Sequence, residues 1–330
     1  MNSLSKLVAY THELKKKTSL YFLPSHKYFQ QEGLVWGTSY NIIYESRKEL
    51  GKEILETIKM IDGSLSIFNP HSIISRINRN ETMKVDHHFQ YMFQTCQLIS
   101  YLTDGLYDPT IKPLIDLWTQ QTLQSNIPSI QQIQNVQKLI GINECSVSNK
   151  SIKKKHDATQ FDFSSLAKGY GVDCVASLFN KYHIKNYMVE IGGECFAHGV
   201  NPYKSAWKIR LDVPSEYISY ATSALSFELS DLAMATAGNY RSFFPSAQGH
   251  IGHILNPISG YPIKTNLISA TVFAENCVTA DALSTACFLT GTETLNKIKD
   301  KFPTTKIIIL ESEDGKGNND TNDLLKIYEW

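Results

Sequence analysis

Gly252-His253-Ile254-Leu255-Asn256-Pro257 opens the stretch that decides how this chain reads, and it continues through Ile258-Ser259-Gly260 to Ala280-Asp281-Ala282-Leu283-Ser284-Thr285. A lone histidine precedes an Asn-Pro turn, an apolar strand follows over 267–273, and then a helix begins. Asp281 and Thr285 are four apart and Ser284 is three from Asp281, so a helix stacks all three on one face. Carboxylate plus hydroxyl is hard-oxygen chemistry, suited to Mg²⁺ rather than zinc. The alternative is a capped helix, with Thr279 as N-cap and Asp281 favoured in the first turn by the helix dipole. Both readings stand on these residues alone.

Outward from that stretch, the order of elements predicts an α+β fold of largely antiparallel sheets covered by helices. Residues 1–32 are polar and mixed and read as an N-terminal leader that packs loosely. From 33 to 330 the chain reads as a single large domain, with neither an internal repeat nor a linker dividing it. Alternation predicts a strand over 34–44. Apolar stripes at helical spacing predict helices over 47–64, 86–103 and 164–182, and residues 66–78 read as a loop with a short turn. Phe161-Asp162-Phe163 reads as a short strand entering a helix that Ser164-Ser165 caps.

Composition narrows the function classes. The chain of 330 residues is 42% hydrophobic, 11% aromatic and 19% charged, which is ordinary for a globular protein. Basic and acidic residues number 32 each, so nothing marks a nucleic-acid surface. Six cysteines lack any C-x-x-C pair, against a zinc knuckle or a thioredoxin motif. No stretch approaches about 20 uninterrupted apolar residues, so no membrane span is expected. Residues 1–17 lack the apolar region and cleavage site of a signal peptide.

Several glycine-rich turns carry chemistry-bearing neighbours. Gly169-Tyr170-Gly171 lacks the third glycine of a dinucleotide fingerprint, and Ala167-Lys168-Gly169 lacks phosphate-loop spacing. Asp162 to Tyr170 nevertheless turns into a helix, leaving backbone N–H groups free for an anion. The dipole disfavours Lys168 near that end, so a ligand or a carboxylate partner is expected for it. Gly192-Gly193-Glu194 ends a strand and permits close backbone approach. Thr103 to Thr110 is a further punctuated turn. A plain turn or a solvated lysine accounts for each of these taken singly.

Taken in order, the segments resemble the ApbE family of flavin transferases. The pieces are Gly37-Thr38, Ser66-Ile67-Phe68 with Pro70 and Ser72, and Gly105 to Thr110 with Pro113 and Trp118. They continue with Asp162 to Asp173, Gly192-Gly193-Glu194, Gly238-Asn239-Tyr240, His253 to Pro257 with Gly260, and Ala280 to Thr285. The resemblance implies one large T-fold-like domain that binds FAD and cleaves its pyrophosphate with Mg²⁺. It implies transfer of FMN through a phosphoester to a threonine or serine of an acceptor flavoprotein, with release of AMP. By motif position, Asp281 and Thr285, with Ser284 beside them and the carbonyl of Ala167, are implied as Mg²⁺ ligands. FAD contacts are implied at Trp36, Phe68, Leu106, Tyr107, Asp108, Ser164, Tyr170 and Leu255. Lys168, His253 and Asp281 are the implied catalytic residues, with His253 as candidate base. Trp36 stands where the family usually has Met, Ala237 where it has Ser, and Asn256 where it has Asp.

Family members are commonly exported or lipid-anchored and modify subunits of membrane redox complexes, which implies a location on the periplasmic face of the inner membrane. Two other readings use the same residues: an FAD pyrophosphatase, with water replacing the acceptor hydroxyl, and a non-catalytic flavin-binding protein.

Overall fold

The computed structural model describes residues 17–23, 26–211, 226–238, 243–244, 251–252, 254–263, 265–312 and 325–329. The alternation expected over 34–44 is realised as a hairpin rather than one strand. Strand β1 (Lys17–Leu23) pairs with β2 (His26–Val35), and β2 turns into β3 (Thr38–Glu45) through Trp36-Gly37. Both turn residues have positive φ, +49° and +78°, which matches the right-handed twist of the strands they join. On β3, Tyr40, Ile42 and Tyr44 alternate inward.

The loose packing expected over 1–32 does not extend to the stretch from Tyr28 to Gln31. Tyr28 and Phe29 are buried, and so is Gln31, whose amide nitrogen lies 3.4 Å from both the Tyr40 hydroxyl and the Gly51 carbonyl. Polar composition concealed a strand that pairs into the sheet and buries one of its polar side chains.

Helix α1 (Gly51–Leu65) buries Ile54, Ile58, Ile61 and Leu65, one stripe at helical spacing. A short helix α2 (Ile73–Asn78), capped by the Ser72 side chain, stands where a loop was expected. Helix α3 (His87–Leu102) follows, capped by Asp86. Next come α4 (Lys112–Leu123), α5 (Ile130–Gln137) with a Ser129/Gln132 capping box, and the hairpin β4 (Ser146–Ser148) to β5 (Ser151–Lys153).

Phe161 to Phe163 is not a strand. Phe161 is held instead by the Asn78 amide, which accepts from its N–H at 2.7 Å and donates to its carbonyl at 2.9 Å. That reciprocal pair imitates a strand neighbour and seats both phenylalanines against Phe89. Edge-to-face pairs of this kind contribute about 1 kcal/mol each beyond their burial.

Helix α6 (Ser164–Lys181) leads to β6 (Tyr187–Ile191), a Gly192-Gly193 turn and β7 (Glu194–His198). The hairpin β8 (Trp207–Arg210) to β9 (Ser226–Leu229) precedes β10 (Leu232–Gly238). Phe243–Phe244 (β11) and Ile251–Gly252 (β12) make a two-residue pairing. The chain continues through β13 (Leu267–Ala274), helices α7 (Cys277–Thr290) and α8 (Leu295–Lys301), and strands β14 (Lys306–Ser312) and β15 (Leu325–Glu329).

Nine strands form one sheet in the order β1-β2-β3-β6-β7-β10-β13-β14-β15, and every neighbouring pair is antiparallel. Helices α1, α3, α6 and α7 share the main core with one face of the sheet. On the other face, Trp207 and Leu229 of the β8–β9 hairpin pack with Met188, Met234, Phe273 and Leu310. The α+β expectation with a largely antiparallel sheet therefore holds.

Helix α7 is apolar on nearly all sides, the pattern of a helix enclosed by its own protein. Its N-cap is Asn276, whose side chain accepts from the Thr279 N–H at 2.9 Å, so Thr279 lies inside the helix. Asp281 consequently falls in the second turn, buried, where a helix dipole alone does not account for a carboxylate.

Candidate functional site

Five separated sequence blocks meet along the first two turns of α6. The Asp162 carboxylate accepts from the Ser164 N–H at 2.8 Å and from the Ser164 hydroxyl, so it anchors the helix start. Ser164 is the first helical residue, and neither it nor Ser165 occupies the N-cap position, which is Phe163. The turn before α4 is tied to the same place, with Asp162 N–H on the Pro109 carbonyl at 2.7 Å and the Tyr107 hydroxyl 3.0 Å from Ser165 Oγ.

The next residues each face a different neighbour. Gly169 lies against α7 so closely that an added Cβ would sit 2.5 Å from the Cys277 carbonyl oxygen and 2.8 Å from Asp281 Cβ. Its backbone N–H donates to Asp281 Oδ2 at 3.0 Å. Gly171 lies under the Trp36 indole, and a Cβ there would come within 2.7 Å of two ring atoms. Tyr170, between them, points to α3, where its hydroxyl is 2.7 Å from His88 Nδ1 and its ring stacks on Tyr91. The tight glycine packing lets α7 close on α6 at Gly169 and the Trp36 turn close on it at Gly171.

Lys168 completes the group. Its Nζ lies 2.6 Å from Glu194 Oε1, at the start of β7, and Glu194 is only 3% exposed. The lysine stem passes over Gly192, where a Cβ would come within 2.9 Å of Lys168 Cδ. The turn is braced by Glu190, which accepts from the Gly193 N–H at 2.6 Å. The expected carboxylate partner of Lys168 is thus Glu194, a residue that local pattern left as part of a plain turn.

Burial and the neighbouring Glu194 push the Asp281 carboxyl well above the usual carboxylate range, while Lys168 and the Gly169 N–H act in the opposite direction. The Thr285 hydroxyl lies one turn along α7 from Asp281. A buried carboxylate, a hydroxyl and backbone carbonyls are donors that fit a hard divalent cation. Among the described residues there is no group of three His, Cys, Asp or Glu side chains suited to a metal.

The remaining expected residues divide. Ser284 is fully buried and its hydroxyl donates to the Asp281 carbonyl at 2.9 Å, within its own helix. Tyr107 is a core residue whose hydroxyl also contacts Cys96 Sγ at 3.2 Å. Asp108 accepts from the Thr110 N–H and hydroxyl and from the Ile142 N–H, all within the turn's own scaffold. Leu106 is half-buried beside them, and its backbone with theirs forms the turn. Leu255 packs with Leu114, Trp118 and Ile133 in a satellite core. Phe68 is exposed, 66%, on the loop after α1. His253 lies outside the described residues, as do Asn239 and Tyr240.

Sequence reasoning passed over one further residue. Asp173, on α6, accepts from the Cys277 and Val278 N–H groups at 2.7 and 2.8 Å, clamping the start of α7 onto α6. Its only sequence signal is position: it closes the block that begins at Asp162.

The fold, a nine-stranded antiparallel sheet with helices packed on one face, is shared with solved flavin transferases. The structure of the flavin transferase ApbE from Vibrio cholerae superposes with a TM-score of 0.78 and 27% identity, covering 92% of this chain and 97% of that one. The FAD:protein FMN transferases of Vibrio cholerae and Haemophilus influenzae are each 29% identical to it. The alignments span 86% of this chain and 87% of the first relative, and 88% of both chains for the second. The ApbE family model matches residues 36–309, and the chain belongs to the ApbE family.

Proposed function

We propose that this protein is an FAD:protein FMN transferase, acting with Mg²⁺ on a threonine or serine of an acceptor flavoprotein. The observation that carries the reading is Asp281, a buried carboxylate on an apolar helix, held against the start of α6 beside the Lys168–Glu194 pair. The Gly169 N–H engages one oxygen of that carboxylate, and burying an ionisable group is costly unless its charge is compensated. Close relatives in both sequence and fold carry the transferase name.

In the reaction, the acceptor hydroxyl oxygen forms a bond to the FMN phosphorus. The bond from that phosphorus to the bridging pyrophosphate oxygen breaks, AMP leaves with the electron pair, and the hydroxyl proton passes to a base. Such a transfer depends on positioning and charge more than on covalent chemistry from the protein. Asp281 and Thr285, with the Ala167 carbonyl, would hold Mg²⁺, which when bound supplies charge neutralisation at the pyrophosphate. Lys168, at the N-terminal end of α6, supplies a positive charge where the phosphates gain negative charge. Of the expected FAD contacts, Trp36 and Phe68 are aromatic side chains that keep accessible surface for a flavin or adenine ring. The role of His253 as base rests on sequence position and on the ordinary pKa of imidazole. The family resemblance further supports acceptors in membrane redox complexes and an extracytoplasmic location.

Incubation with FAD and Mg²⁺, with and without an acceptor flavoprotein, tests the reading. The transferase yields AMP in step with acceptor-bound FMN. Free FMN and AMP formed at the same rate without acceptor would identify a pyrophosphatase, and unaltered FAD a flavin carrier.

A further inference from the structure

The Lys168–Glu194 pair has a consequence for Asp281 that neither residue's proximity to phosphate supplies. Lys168 immediately precedes Gly169, whose N–H is bonded to Asp281, so the lysine starts from a backbone position already in contact with that carboxylate. A buried carboxylate and an adjacent flexible ammonium normally pair, because pairing offsets the desolvation of both. Here Lys168 is bonded to Glu194 instead, at 2.6 Å, with its stem laid across the Gly192-Gly193 turn. Glu190 and Gly192 are the parts that fix this course. The first holds the turn through the Gly193 N–H, and the second leaves room for the stem because it has no Cβ.

We propose that Glu194 is a positioning residue that holds the Lys168 ammonium away from Asp281, keeping the Asp281 carboxylate open for a divalent cation. The inference rests on the cation reading of Asp281 given above and adds to it a residue that need not touch the cation. With Glu194 neutralised, Lys168 is expected to turn to Asp281 and compete with the metal as an internal cation. The cost of losing Glu194 therefore depends on whether Lys168 is present, which a plain through-space charge effect does not require.

The test is Mn²⁺ binding to the FAD-free protein, followed by the loss of the free-ion electron paramagnetic resonance signal. The wild type is compared with Glu194→Gln, Lys168→Met, the double variant and Asp281→Asn. Gln is isosteric with Glu, and thermal melts establish that each variant is folded. The expected result is a weakening of Mn²⁺ binding by about tenfold or more for Glu194→Gln in the Lys168 background, and by no more than about threefold in the Lys168→Met background. Equal losses in the two backgrounds, with binding still dependent on Asp281, overturn the positioning role alone. Unchanged binding in Asp281→Asn overturns the cation reading and this inference together.

Discussion

The backbone N–H of Gly169 donates to Asp281 Oδ2 at 3.0 Å across 112 residues of sequence, joining the start of one helix to the second turn of another. That bond fixes one oxygen of a buried carboxylate and requires the two helices to touch. A Cβ at Gly169 would sit 2.5 Å from the Cys277 carbonyl. Gly169→Ala is therefore expected to separate the helices, destabilising the fold by about 1–3 kcal/mol. Mn²⁺ affinity should fall along with the melting temperature. Unaltered values of both in that variant would show that the helix contact is slack.

Tyr107 distinguishes a scaffold role from a ligand role. Its hydroxyl is placed between Ser165 and Cys96, and its ring is buried. Tyr107→Phe should lose about 1 kcal/mol of stability in urea unfolding. FAD affinity, read from flavin fluorescence quenching, should stay within about twofold of wild type, since a scaffold hydroxyl makes no ligand bond to lose. A large loss of affinity with unchanged stability would place the side chain on the ligand instead.

The departure from the family pattern at Asn256 is accommodated by the loop itself. Its Oδ1 accepts from the Ile258 and Ser259 N–H groups at 2.8 and 3.0 Å, a task an aspartate oxygen performs equally well. Asn256→Asp should therefore leave stability within about 0.5 kcal/mol of wild type, whereas Asn256→Ala should cost about 1–2 kcal/mol. Thermal melts of the two variants check the contrast, and equal losses would contradict it.

Asp173 gives the fold a pH dependence with a definite sign. Burial raises its carboxyl to about 6, with the Val278 and Cys277 N–H bonds acting against the rise. In the unfolded chain an aspartate titrates near about 4, so between about 4 and 6 the folded state binds more protons. The contribution of Asp173 to stability is then full below that window and declines as pH rises through it. Urea unfolding of wild type and Asp173→Asn at pH 4.5 and 6.5 isolates the term. Wild type should lose on the order of 1–3 kcal/mol relative to the variant across the interval. A gain would reverse the assignment.

Much of the architecture was legible because strand and helix periods leave separate marks. Tyr40, Ile42 and Tyr44 alternate, while Ile54, Ile58, Ile61 and Leu65 recur at helical spacing. What escaped was set by distant partners. Gln31 is buried because Tyr40 and Gly51 lie within reach, and Phe161 avoids a strand because Asn78 takes the place of one. The start of α7 was misplaced because Thr279 and Asn276 are both good caps and only tertiary packing selects between them. In the site, Asp281, Lys168 and Thr285 could be named from motif order. The pairing of Lys168 with Glu194 could not, since a glutamate after a glycine pair carries no local sign of the lysine 26 residues earlier. An acidic residue opening an otherwise apolar strand, Glu194-Cys195-Phe196-Ala197, was the available clue.

If Asp281 holds the cation for FMN transfer, as proposed, its carboxylate is indispensable to the reaction. The most direct measurement is the intact mass of an acceptor flavoprotein after incubation with FAD, Mg²⁺ and either wild type or Asp281→Ala. The acceptor should gain the mass of one FMN, less water, with wild type and remain unmodified with the folded variant. Full modification by Asp281→Ala would contradict the account.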